Sequence, residues 1–91
     1  MKLRKTKEMA RVLAQKGFEE YHTHHKKFVL YVNGTPTKIH TYLSHGVKEY
    51  SKSLMSAIRQ QMNLSSAEVD EFFDCTMSKD DYAMLMRQRG M

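Results

Sequence analysis

The chain has 91 residues, of which 41% are hydrophobic and 27% are charged, and its formal net charge is +5. This length suffices for one small domain, and the composition is that of a folded globular protein, which excludes disorder and two independent cores. No apolar run approaches the roughly 20 residues that span a bilayer, and no apolar segment follows the basic first residues, so we expect neither a membrane segment nor a secretory signal.

The only cysteine is Cys75. It cannot form a disulfide within the chain, which favours a reducing compartment and predicts a cytoplasmic protein. Because no catalytic motif surrounds it and it follows an apolar helix stripe, we expect a small buried residue and not a nucleophile.

The charge is unevenly distributed. Residues 1–62 carry a net charge of +8, whereas residues 63–91 carry −3. A basic body favours a polyanionic partner, because lysine and arginine displace counterions from phosphates. The alternative is a merely well-solvated surface, so charge alone does not decide for nucleic acid.

The first predicted element is a helix over residues 5–16. Its apolar residues follow helical spacing, Thr6 is a candidate N-cap, and Gly17 stands where a helix commonly ends. The apolar stripe consists of Met9, Val12 and Leu13.

Three strands should follow this helix. Residues 18–22 form the first, residues 27–32 are rich in β-branched and aromatic side chains, and residues 37–42 return after a turn. The turn contains Asn33-Gly34, the dipeptide that best tolerates the positive φ angles of a tight hairpin. Residues 43–46 are expected to be a loop, in which His45 either serves a turn or approaches the sheet as a proton donor.

A second helix is predicted over residues 50–62. Its apolar face would contain Leu54, Met55, Ile58 and Met62. The resulting order is α-β-β-β-α, an α+β fold with a three-stranded antiparallel sheet and the layout of a double-stranded-RNA-binding-like domain.

Two short helices are predicted in residues 65–91. The first starts at a Ser65-x-x-Glu68 capping box, and the second at Ser78, with acidic residues in its first turn. We expect these helices to extend the core domain of residues 1–64 and to pack on it or on a partner chain, which leaves a homodimer open.

All five histidines lie between residues 22 and 45. Imidazole exchanges protons near neutral pH, which suits acid–base chemistry. Zinc is the alternative, but neither C-x-x-C nor H-x3-H spacing is present, so no metal and no cofactor is expected.

Strand alternation predicts which side chains share a face. If Phe28, Leu30, Val32 and Ile39 lie under the helices, the opposite face combines basic and aromatic groups. These are His25, Lys27, Tyr31, Lys38, His40 and Tyr42. Cations for phosphates and rings for bases are what RNA binding requires, although an ordinary polar sheet face would look similar.

Four segments in this order resemble the HicA family of mRNA interferase toxins. Residues 11–18 resemble its "L-x-x-x-G-[FW]" segment, residues 23–28 its "G-S-H-x-x-[FY]" segment, residues 38–41 its third strand, and residues 54–62 its "L-x-x-I-L-K-Q-A-G-L" segment. The resemblance spans about residues 6–64. It departs from the family pattern at Thr23-His24, which replaces Gly-Ser, and in lacking a proline after the third strand.

The resemblance implies a metal-independent endoribonuclease that cleaves mRNA, the toxin of a type II toxin–antitoxin pair, silenced by a HicB-like antitoxin protein. It aligns His25 with the family's catalytic histidine, as general acid or base in attack of a ribose 2′-OH on the adjacent phosphate. A second proton-transferring group is then needed, either His24, His40 or water. The candidate RNA-binding residues are Lys26, Lys27, Lys38, His40 and Tyr42. The alternative is an RNA-binding module of the same fold without catalysis.

Overall fold

A computed structural model describes residues 1–44 and 46–90. These residues form helices and two antiparallel sheets. The elements in chain order are β1 (Arg4–Lys5), α1 (Thr6–Gln15), β2 (Phe18–His22), β3 (Lys26–Val32), β4 (Thr35–Leu43), β5 (Glu49–Tyr50), α2 (Lys52–Gln61), α3 (Ser66–Phe73) and α4 (Lys79–Gln88). The predicted α+β class, the α-β-β-β-α order and the helical C-terminal part are confirmed. Within these described ranges, no helix is both long and apolar enough to cross a bilayer.

The main sheet has the order β2-β3-β4, and both strand pairs are antiparallel. Asn33 and Gly34 close the β3–β4 hairpin with φ angles of 53° and 77°. Both values lie in the left-handed region that this dipeptide adopts most readily, which explains why the turn forms here. A register shift between Val29 and Tyr31 then lets β4 run longer than its partner.

The hydrophobic core lies between one face of this sheet and the helices. The sheet contributes Phe18, Phe28, Leu30 and Leu43, all buried. Helix α1 adds its predicted apolar stripe, and α2 adds Met55 and Ile58. Val32 and Ile39 are only partly buried, yet they pack against the same core as predicted.

Helices α3 and α4 belong to this core. Each begins at a complete capping box, at Ser65 and at Ser78. Phe72 and Tyr82 are fully buried, and their rings pack against Phe18 at centroid distances of 6.1 and 5.8 Å. The Tyr82 hydroxyl donates a 2.8 Å hydrogen bond to the Met62 carbonyl, so the C-terminal helices pack directly on the predicted core domain.

Lys16 is a buried cation that fastens α1 to the C-terminal helices. Only 6% of the residue is exposed, and its Nζ donates hydrogen bonds to the carbonyls of Phe72 and Met77. The ammonium also lies 4.7 Å from the Phe72 ring centroid. Burial lowers the pKa of this lysine, because the charged form loses hydration.

A two-stranded ribbon of β1 and β5 was not predicted. It pairs Arg4 with Tyr50 and Lys5 with Glu49. The second helix therefore begins at Lys52, with Ser51 as its cap, and not at Tyr50. Because the ribbon joins the residues just before α1 to those just before α2, it fixes the start of α1 beside the segment that follows β4.

Three expectations about individual side chains are wrong. Leu54 is 42% exposed because the stripe that covers the core continues through Met55 and Ile58 and leaves Leu54 on the outer side of α2. Cys75 is exposed because the chain reverses there, with φ at 63°, after α3 has ended. Thr6 is not the N-cap: it is buried inside the first turn, and its hydroxyl donates to the Val47 carbonyl.

Candidate nucleic-acid interface

One face of the main sheet is not covered by helices; we call it the open face. Its side chains are Glu19 and Tyr21 of β2, Lys27, Val29 and Tyr31 of β3, and His40 and Tyr42 of β4. None of these residues is buried, whereas Phe28, Leu30 and Thr41 on the opposite side are. The predicted segregation of the two faces is therefore present in the structure.

A cation lies between two aromatic residues across the open face. The strand register pairs Lys27 with Tyr21 on one side and with Tyr42 on the other. Directly paired residues in an antiparallel sheet project to the same side, so the three side chains form one row. Such a row offers an ammonium for a phosphate and two rings for bases.

His25 stands at one end of this row. It is exposed in the loop between β2 and β3, and its ring meets the Tyr42 ring nearly perpendicularly, with centroids 6.4 Å apart. The loop is closed on itself, because the Thr23 amide and hydroxyl both donate to the His25 carbonyl, at 3.2 and 2.7 Å. This closure orients the backbone from which the imidazole projects towards the open face.

His40 lies on the other side of the same tyrosine. Its ring is also perpendicular to the Tyr42 ring, at a centroid distance of 5.5 Å. Its Nδ1 is 3.0 Å from the Lys38 carbonyl, which can only accept a hydrogen bond. Nδ1 must therefore carry the proton in this contact, which leaves Nε2 of the neutral ring with its lone pair available as a base.

A tyrosine pair continues the open face. The hydroxyls of Tyr21 and Tyr31 are hydrogen-bonded to each other, and this bond raises the pKa of Tyr31. Tyr21 was not among the residues predicted on this face. Strand alternation would have found it, since Glu19 and Tyr21 share one side of β2.

Gln61 of α2 supports the position of Tyr42. Its Oε1 accepts a 2.6 Å hydrogen bond from the Thr41 hydroxyl and a 3.3 Å bond from the Tyr42 amide. The free edge of β4 is thereby tied to the last turn of α2. No local sequence signal predicts this contact, because it depends on how the helix crosses the strand.

The other predicted site residues are Lys26, His24 and Lys38. Lys26 pairs with His22 and Leu43, so its side chain projects to the helix side of the sheet, opposite Lys27. His24 and Lys38 are exposed, and Lys38 contributes its carbonyl to His40. His45 lies outside the described residues.

Among residues 1–44 and 46–90, no three histidine, cysteine, aspartate or glutamate side chains come together as metal ligands would.

Comparison of the chain with protein-family models, with curated proteins and with solved structures gives no match.

Proposed function

We propose that the open face binds single-stranded RNA and that His25 and His40 cleave it without a metal, as the resemblance to HicA toxins implies. The observation that carries the proposal is the pair of imidazoles on either side of Tyr42, beside the Lys27 ammonium. Transesterification of RNA needs one base and one acid at a single linkage, and two imidazoles that contact the same tyrosine support this proposal.

We assign the base to His40, because its Nδ1 donates to the Lys38 carbonyl and leaves Nε2 to accept a proton, and the acid to His25. His40 Nε2 removes the proton of a ribose 2′-OH, whose oxygen attacks the adjacent phosphorus. His25, in its imidazolium form, gives its proton to the departing 5′-oxygen as the P–O5′ bond breaks. The products are a 2′,3′-cyclic phosphate and a free 5′-hydroxyl.

Lys27 would stabilise the phosphorane. Two negative oxygens develop on phosphorus during the attack, and a nearby ammonium in a partly desolvated site stabilises them more than bulk water does. Lys27 is half-buried and is paired with Tyr21 and Tyr42 across the sheet, so its side chain would lie beside the scissile phosphate.

The biological role that we propose is the one implied by the resemblance to HicA toxins. We propose an mRNA-cleaving toxin that acts in the cytoplasm and is silenced by a HicB-like antitoxin protein. If the imidazoles do not cleave, the row of Tyr21, Lys27 and Tyr42 still fits the alternative, an RNA-binding module.

The test uses end-labelled single-stranded RNA in the presence of EDTA. Wild-type protein should produce fragments that end in a 2′,3′-cyclic phosphate. His25→Ala and His40→Ala should each lower the rate by about 10²–10⁴-fold, the contribution of one general acid or base. His24→Ala is the matched control, because it removes the neighbouring imidazole of the same loop, and it should leave the rate unchanged.

Two results would count against the nuclease. Intact RNA with wild-type protein, together with measurable binding, would leave only the RNA-binding module. Equal losses in His24→Ala and His25→Ala would mean that the loop as a whole, and not the His25 ring, supports cleavage.

A further inference from the structure

A basic cavity lies at the His25 end of the main sheet, on the side opposite the open face. It has a volume of about 600 Å³ and is lined by residues at the start of α1, by the first residue of β3, and by Ser44 and residues 46–49. Four lysines line it, Lys5, Lys7, Lys26 and Lys48, and we call it the lysine pocket.

The charge of the lysine pocket is not neutralised within the described part of the chain. Glu49 is the one carboxylate among the described lining residues. None of the four lysines takes part in an ion pair among residues 1–44 and 46–90. Four lysines around one cavity give it a positive potential, which favours the entry of an anion.

The four lysines come from three segments, and hydrogen bonds join the segment of Lys5 and Lys7 to that of Lys48. The Thr6 amide donates a 2.9 Å hydrogen bond to the Lys48 carbonyl, and the Thr6 hydroxyl donates to the Val47 carbonyl. The β1–β5 pairing sets Lys5 beside Glu49. The folded chain thus assembles the pocket in advance, which lowers the entropic cost of binding there.

Lys26 and Lys27 connect the lysine pocket to the open face. They are adjacent in β3, and their side chains project to opposite sides of the sheet. A polyanion that passes the end of the sheet at the β2–β3 loop can therefore contact both. A single small anion would need only one of these sides.

We infer that the lysine pocket holds a backbone phosphate of the same RNA strand whose neighbouring nucleotides lie on the open face. This inference rests on the proposed function, since it requires RNA at the open face. It adds a second contact that carries no base recognition and sets the direction in which the strand leaves the site.

The test compares Lys7→Ala/Lys48→Ala with Arg11→Ala/Lys52→Ala, a control that removes the same charge at exposed residues outside the pocket. The probe is a 2′-O-methyl RNA of about twelve nucleotides, which cannot be cleaved and is long enough to reach both sides. Binding is measured over a series of salt concentrations, and thermal melting shows that both variants fold. The pocket variant should lose affinity by roughly three- to tenfold, and its slope of log K against log salt should fall by about 0.7 per lost phosphate contact.

The outcomes separate the two proposals. If the pocket variant matches its control while Lys27→Ala weakens binding, the inference is overturned and the open face stands. If the pocket variant weakens binding while Lys27→Ala and Tyr42→Ala do not, RNA binds at the pocket alone and the proposed function falls. If wild-type protein does not bind the RNA, both are wrong.

Discussion

The rings of His25 and Tyr42 meet edge to face at a centroid distance of 6.4 Å, although one lies in the loop before β3 and the other lies in β4. This contact brings a loop imidazole to the row of strand side chains that includes Lys27. The tyrosine is the common neighbour of both candidate catalytic rings, which makes it the most informative position on the open face.

Substitution of Tyr42 should separate binding from catalysis. Tyr42→Ala removes the stacking surface and should weaken binding of uncleavable RNA by about 1–3 kcal/mol, the usual value for one base on one aromatic ring. Tyr42→Phe keeps the ring and should bind as wild type does. Fluorescence anisotropy measures both affinities. Equal affinities for the alanine and phenylalanine variants would mean that no RNA base stacks on the Tyr42 ring.

Gln61 should affect the site without touching RNA. Gln61→Ala leaves the buried Thr41 hydroxyl without its acceptor, so we expect a loss of about 1–2 kcal/mol in the free energy of unfolding. Because Tyr42 then loses its edge contact, RNA affinity should fall as well. Urea denaturation and anisotropy measure the two effects. Gln60→Ala, an exposed neighbour, should change neither.

Lys16 should be among the most sensitive positions for stability. Lys16→Ala leaves the carbonyls of Phe72 and Met77 without their donor in a buried place, and we expect a loss of about 2–4 kcal/mol. Arg11→Ala removes an exposed cation of α1 and should stay within about 0.5 kcal/mol of wild type. Equal urea midpoints for the two variants would mean that water already reaches these carbonyls.

Acid should destabilise the fold in a defined window. Hydrogen bonds from Arg89 and from the Ser65 amide lower the pKa of Glu68 to about 2, and Arg4 and Lys2 lower that of Asp74 to about 2. These carboxylates bind protons more readily in the unfolded chain, so their contribution is complete above their ordinary pKa and is lost as the pH falls from about 5 to about 2.

A charge-removing variant tests this window. Glu68→Gln should flatten the dependence of the unfolding free energy on pH between about 5 and about 2, because it removes one of the groups that titrate there. Glu71→Gln removes an exposed carboxylate of the same helix with no ion pair among the described residues, and it should leave the slope unchanged. Equal slopes of unfolding free energy against pH for wild type and Glu68→Gln would contradict the lowered pKa of Glu68.

Relief of the left-handed backbone at Cys75 should stabilise the protein. Its φ of 63° costs a residue with a side chain roughly 1–2 kcal/mol, and glycine avoids this cost. After allowance for the greater freedom of glycine in the unfolded chain, Cys75→Gly should gain about 0.5–1 kcal/mol. Cys75→Ala keeps the unfavourable φ and should show no such gain in urea denaturation.

Local signals predicted much of this fold. The Asn33-Gly34 turn, the capping box at Ser65 and the alternation of Phe28 and Leu30 each depend on residues close in sequence, so one sequence suffices to find them. The β1–β5 ribbon has two residues per strand and pairs distant segments. No periodic pattern can develop in so short a strand.

The candidate site was predictable to the same extent. Strand alternation assigns Lys27, His40 and Tyr42 to one face, and the structure agrees. It equally assigns Lys26 to the other face, where the structure places it in the lining of the lysine pocket. Gln61 and the lysine pocket depend on how helices and loops meet, and neither has a signature in the sequence.

The buried ammonium of Lys16 also bears on whether the chain can be shortened. A fragment that ended at residue 64 would contain every strand of the sheet, yet it would lack the carbonyls that solvate this charge and the rings that cover Phe18. Such a fragment would expose a positive charge and an aromatic surface together, and we expect it to aggregate when expressed. The boundary predicted at residue 64 therefore does not separate two units that fold independently. Both proposed activities should be measured with all 91 residues present.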